Sequence, residues 1–113
     1  MRVPKMKFFQ VDSPDDVAQH AFHRIQEWLS QKDEPVFALP AGATPLPLYR
    51  QLVEAHGRGE LPLERARFFA LDEWWGEGVP IEATFRNFLM EHLLAPAGVR
   101  SERLQSLPSC GDA

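Results

Sequence analysis

Apolar residues recur along this chain with two alternating spacings, and the alternation predicts helix and strand in turn. Val17, Ala18, Ala21, Phe22, Ile25, Trp28 and Leu29 recur at helical spacing, with Gln19, His20, Arg24 and Gln26 on the opposite side. Ser13-Pro14-Asp15-Asp16 opens that helix with an N-cap, a first-turn proline and first-turn acids, and the pattern runs to near Gln31. Before it, Met6 to Val11 is a short apolar run that reads as a strand. After it, Pro35-Val36-Phe37-Ala38-Leu39 is a continuous apolar run bounded by breakers, the pattern of a strand buried on both faces of a parallel sheet.

Leu46, Tyr49, Leu52 and Val53 then share one stripe of a helix that Gly57 and Gly59 close, and Ala66 to Leu71 is the next strand. The segment from Pro35 to Leu71 is therefore a βαβ unit of the length a right-handed crossover needs. Thr84 to about Leu94 predicts another helix, with Phe85, Phe88, Leu89 and Leu93 inward and Pro96 beyond its end. Arg103 to Leu107 is a further strand candidate, and Pro108 to Ala113 follows with no docking element behind it. The fold class is α/β: a partial, truncated Rossmann-like parallel sheet flanked by helices.

Composition narrows the function classes. The 113 residues suffice for one core, and with 44% hydrophobic and 25% charged residues the chain reads as soluble and globular. Net charge is −4 and the basic residues are scattered, so nucleic acid is not an expected partner. No stretch approaches the roughly 20 apolar residues of a membrane span, and Met1 to Val11 lacks the apolar core of a signal peptide. Cys110 is alone, which excludes an internal disulfide and suits a reducing, cytoplasmic setting.

Two segments carry candidate chemistry. Pro40-Ala41-Gly42-Ala43-Thr44-Pro45 leaves a strand and enters a helix, where small residues and a helix N-terminus gather amide donors around an anion such as phosphate. The expected donors are the amides of Gly42, Ala43, Thr44 and Leu46, with Thr44 able to cap the helix or offer its hydroxyl. A plain turn and helix cap is the simpler reading of the same residues. Asp72 and Glu73 follow the next strand and so lie on the same sheet edge, where open α/β sheets bind ligands. Walled by Leu71, Trp74 and Trp75, a carboxylate there would have a raised pKa and act as a base toward a proton α to a carbonyl. Solvated acids and tryptophans packed under the following loop are the alternative. His20, His23, His56 and His92 show no metal-site spacing, so no metal is expected and the four read as structural or surface residues.

The residues Leu39 to Pro45, Tyr49, Leu52 to His56, Phe69 to Gly76, Thr84-Phe85 and Phe88 resemble the first half of glucosamine-6-phosphate deaminases, over most of residues 35 to 95. The resemblance implies an aldose-ketose isomerase that also releases ammonia, converts glucosamine 6-phosphate to fructose 6-phosphate and needs no organic cofactor. It also implies a sugar-phosphate partner and, for the full-length protein, possible homo-oligomers. Gly42, Ala43 and Thr44 would hold the phosphate; Asp72 would be the base at C2, with Glu73 orienting or tuning it. The chain departs from the family at Ala43, at Trp74 where Tyr is usual, and at Thr84-Phe85 in place of Ser-Tyr. The later Asp-Gly-His segment that opens the sugar ring, and the phosphate-binding Arg and Lys beyond it, have no match. Residues 1–113 therefore read as the N-terminal portion of the domain, with little activity expected alone. A 6-phosphogluconolactonase, whose motif usually continues Asp-Glu-Arg, and a non-catalytic sugar-phosphate-binding module remain alternatives.

Overall fold

The computed structural model describes residues 5–109; Met1 to Pro4, part of the segment weighed as a leader, and the lone Cys110 lie outside the described residues. Helix α1 (Pro14–Leu29) starts where the sequence predicts, its Ser13 hydroxyl accepting from the Asp16 amide at 3.1 Å. Strand β1 (Val36–Leu39), helix α2 (Leu46–Gly57) and strand β2 (Arg67–Ala70) form the expected βαβ unit. Helix α3 (Phe85–Leu89) and strand β3 (Leu104–Gln105) follow. Among the described residues these three strands make one parallel sheet in the order β1-β2-β3.

Local chemistry sets the helix ends. Helix α2 stops in a Schellman turn: the Glu60 amide reaches Ala55 oxygen at 2.9 Å and the Gly59 amide reaches His56 oxygen at 3.0 Å. Gly59 sits there at φ +75°, a conformation costly to any residue with a Cβ. In α3 the Thr84 hydroxyl caps the first turn by accepting from Asn87 at 3.1 Å, but the expected continuous α-helix ends after five residues. Met90–Leu94 widens into a π turn in which the Ala95 amide bonds Met90 oxygen at 2.8 Å. Leu89 and the adjacent Leu93 and Leu94 of the wide turn all enter the core.

The core lies on one side of the sheet. Phe37, Leu39, Phe68 and Leu104 point into it, against Leu29 of α1, Tyr49 and Leu52 of α2, and the leucines of α3 and its π turn. The Phe37 and Phe68 rings stack at 5.3 Å, and Trp28 meets Phe37 edge-on at the same distance.

Two expectations are corrected. Strand β1 is not buried on both faces: Val36 is 51% exposed and Ala38 is exposed, as is Phe69 beside it on β2. Both crossovers step the same way across the sheet, so with one handedness their helices fall on the same face, and none of the described helices covers the other. Met6 to Val11 is not a strand either. It pairs with no sheet edge; Phe9 instead lies against the His20 ring of α1 at 4.5 Å, with the Arg24 guanidinium 5.8 Å from its centre.

Phe68 stands at the centre of this single-layered core, so Phe68→Ala is expected to lower unfolding free energy by about 3–5 kcal/mol. Urea denaturation followed by circular dichroism measures the loss; a change within experimental error would place the core elsewhere.

Candidate active site

The register fixes the geometry of the site. Leu39 of β1 pairs with Ala70 of β2, and the Leu71 amide continues the ladder to Leu39 oxygen at 3.0 Å. Parallel neighbours lie about 4.8 Å apart, so the chain leaves β1 into Pro40-Ala41-Gly42 and leaves β2 into Asp72-Glu73 side by side on one edge.

The loop is held from beneath. Tyr49, 1% exposed on α2, donates its hydroxyl to Pro40 oxygen, tying the start of the loop to the helix that follows it. Burial pushes the Tyr49 phenol pKa well above its ordinary value. Gly42 has φ +107° with open space around its α-carbon, so glycine is needed there for its dihedral angle and not for clearance. The amides of Gly42, Ala43 and Thr44 donate to no acceptor among the described residues. Leu46, expected as a fourth donor, is already used: its amide reaches Ala43 oxygen at 3.2 Å across a tight turn. Thr44 does not cap α2 either, because the N-cap residue is Pro45 with helical dihedrals, and no side chain bonds the first turn. The Thr44 hydroxyl is left on the surface.

A groove of about 660 Å³ runs beside the loop between α1 and α2, with Val17, Ala21, Pro40, Ala41 and Leu48 among its walls. Asp12 is the one charged residue in its lining and no cation faces it, so the loop's own amides are the local donors for an anion.

Asp72 and Glu73 differ in setting. Asp72 is exposed, and the apolar wall expected around it is not assembled: Trp74 is 58% and Trp75 64% exposed, and Leu71 is more than half exposed. The tryptophans do not pack under the following loop; Trp74 only leans on Phe85, ring centres 5.5 Å apart. Glu73 is instead enclosed in backbone donors. Its Oε1 accepts from the Trp74 amide at 2.9 Å and the Phe85 amide at 2.7 Å, and its Oε2 from the Arg86 amide at 3.0 Å. It caps the first turn of α3 across the intervening loop and so fixes where Asp72 sits.

Arg86 is a site-supporting residue that sequence reasoning missed. Its guanidinium donates to Leu104 oxygen at 2.7 Å, Ser106 Oγ at 3.2 Å and Ser101 oxygen at 3.1 Å, clamping β3 to α3. A single arginine inside a helical pattern carried no spacing that announced this role. Among the described residues no group of three His, Cys, Asp or Glu could hold a metal ion, and no helix is long and apolar enough to cross a membrane. The histidines lie apart: His56 Nδ1 is 2.8 Å from Leu61 oxygen, and His92 lies against Phe88.

The Tyr49 tie yields a pH test. Above pH about 10 the phenol ionises in the unfolded chain and not in the folded one, so the folded state binds more protons and stability falls as pH rises. Wild type should lose up to about 1.4 kcal/mol per pH unit there, relative to Tyr49→Phe. At neutral pH Tyr49→Phe should cost about 1 kcal/mol and shift the Gly42 amide resonance. Parallel stability profiles for the two proteins would remove the tie from the account.

No family model matches the chain. Glucosamine-6-phosphate deaminase of Colwellia psychrerythraea is 30% identical over 105 residues, which cover 93% of this chain and 39% of that protein. Glucosamine-6-phosphate deaminase 2 of Giardia intestinalis is 32% identical over 97 residues, covering 86% of the chain and 37% of that protein. The chain thus spans under half the length of these curated relatives. A solved monomeric glucosamine-6-phosphate deaminase superposes with TM-score 0.85 at 20% identity over 96% of the chain and 45% of its own, a likeness of fold. The 6-phosphogluconolactonase of Thermotoga maritima gives 0.66 at 28% identity over 85% of the chain and 42% of its own. In sequence and fold, this chain is similar to the N-terminal portion of a glucosamine-6-phosphate deaminase.

Proposed function

We propose that this chain supplies the phosphate loop and the base of a site that isomerises and deaminates glucosamine 6-phosphate to fructose 6-phosphate and ammonia. The observation that carries the reading is the β1–β2 register, which sets three uncommitted amides and the Asp72 carboxylate on one sheet edge. The substrate phosphate accepts from the Gly42, Ala43 and Thr44 amides, with the Thr44 hydroxyl free to add a fourth donor. Asp72 takes the C2 proton during enolisation of the open-chain sugar, the step that lets C1 and C2 exchange oxidation level. Glu73 is engaged by three backbone amides and acts by holding the Asp72 loop against α3, not by touching the sugar. In this reading residues 1–113 form one portion of the catalytic domain. They turn over little substrate alone, because Asp72 stands in solvent without the enclosure that proton transfer from carbon requires.

A lactonase acting on 6-phosphogluconolactone is the second reading, favoured by the 28% identity to the Thermotoga maritima structure. The same loop would hold its phosphate. The two part at C2: only the isomerase exchanges that proton with solvent.

Titrating glucosamine 6-phosphate into isotopically labelled chain is expected to move the Gly42, Ala43 and Thr44 amide resonances, saturating at about millimolar ligand. No saturable movement at those residues would reject the loop assignment. Where the segment is joined to the rest of a family member, Asp72→Asn should lower kcat by about 100-fold to 10,000-fold and abolish C2 exchange in heavy water. Saturable binding with neither C2 exchange nor lactone hydrolysis in that joined protein would mark a binding module.

A further inference from the structure

The first turn of α3 has no amide to spare. Phe85 and Arg86 donate to the Glu73 carboxylate at 2.7 and 3.0 Å, Asn87 donates to the Thr84 hydroxyl at 3.1 Å, and Phe88 donates to Thr84 oxygen at 3.1 Å. Glu73 thus takes two of the four donors that open a helix, and it keeps its place only while that turn keeps its own. A five-residue α-helix that widens into a π turn gains little stability from its own length. The side chain of Arg86 supplies the hold. Its Nη1 donates to Leu104 oxygen at 2.7 Å and Ser106 Oγ at 3.2 Å, and its Nη2 to Ser101 oxygen at 3.1 Å, so the fork grips the chain before, within and just beyond β3. Leu104 pairs with Phe68, and the same register carried on sets Ser106 opposite Ala70, two residues before Asp72.

We propose that Arg86 is a positioning residue for Asp72 and acts through Glu73, which rests on the reading of Asp72 as the base. The guanidinium fixes the first turn of α3 on the β3 segment, and the amides of Phe85 and Arg86 then hold the Glu73 carboxylate and the Asp72 backbone joined to it. The link runs through the backbone of Arg86, since no carboxylate among the described residues lies in ion-pair range of its guanidinium. It needs a planar fork: two nitrogens reach acceptors spread from Ser101 to Ser106 at once, and an ammonium is a single point donor. The phosphate loop is held by a separate tie, from Tyr49 to Pro40. Arg86 therefore governs turnover and leaves substrate affinity alone.

Hydrogen exchange of the 113-residue chain reads the link without any reaction. Arg86→Met removes the donors, and the milder Arg86→Lys keeps stem and charge but loses the fork. Each should speed exchange of the Phe85 amide at least about 10-fold, while the Leu71 amide, bonded to Leu39 oxygen, keeps its protection. An unchanged Phe85 rate overturns the proposal, and so does a loss of protection that reaches Leu71 equally, which would make Arg86 a general stabiliser. With the segment joined to the rest of a family member, both variants should lower kcat about 10-fold to 100-fold and leave KM within about 3-fold of wild type. In a Glu73→Ala background the same changes should cost less than about 3-fold more, because residues acting in one chain of contacts are not additive. Costs that multiply in full, a KM rise at unchanged kcat, or wild-type turnover in Arg86→Lys each overturn the proposal. Turnover lost in Asp72→Asn and kept in both Arg86 variants rejects this inference alone. No turnover in the wild type, or turnover that survives Asp72→Asn, rejects the base assignment and the inference with it.

Discussion

The parallel pairing of β1 with β2 is the interaction on which everything else in this chain depends. Its register, Leu39 against Ala70, decides that the loop after one strand and the acids after the other emerge together. A shift of one residue would turn Phe37 and Phe68 from the core to the opposite face, and the stacked pair that anchors the sheet would be lost. Non-local pairing of this kind is held by burial, so the position of the candidate site is a consequence of how the apolar residues pack. Tyr49 extends the same logic to the loop, since the largest fully buried side chain of the core also holds Pro40.

Glu73 and Arg86 form the second tier. One carboxylate gathers amides from its own loop and from the first turn of α3, and Arg86 of that same turn reaches across to β3. Strand β3 is only two residues long and could not be held by its ladder alone. The arginine clamp, with the Gly76 amide bonded to Ser109 oxygen at 2.9 Å, ties the strand and the chain after it to the Asp72 loop. Charge-assisted bonds to backbone do here what a longer strand would do by pairing.

Much of this was legible in the sequence because it follows from periodicity and punctuation. Ser13-Pro14 marked a helix start, Gly59 marked a stop, and two apolar runs with a helix between them required a parallel pair. Two misreadings share one cause, while the run at Met6 to Val11 was read as a strand from its apolar pattern alone. The apolar run at Pro35 to Leu39 and the tryptophans at 74 and 75 were expected to be covered because apolar residues usually are. Composition states what a residue would gain by burial and does not state whether a covering layer exists. The Leu46 amide and the Thr44 hydroxyl were misassigned for a different reason: the choice between a tight turn and a side-chain cap depends on dihedral angles at Pro45. The roles of Glu73 and Arg86 join residues 12 to 20 positions apart, beyond the reach of any local pattern.

The proposed site makes one spatial demand: the loop amides and Asp72 must face a single sugar phosphate. A crystal structure of the chain with glucosamine 6-phosphate bound tests it directly. The phosphate should accept from the Gly42, Ala43 and Thr44 amides, and the Asp72 carboxylate should approach C2 to about 3–3.5 Å. A phosphate bound away from this loop, or a sugar whose C2 points away from Asp72, would contradict the account.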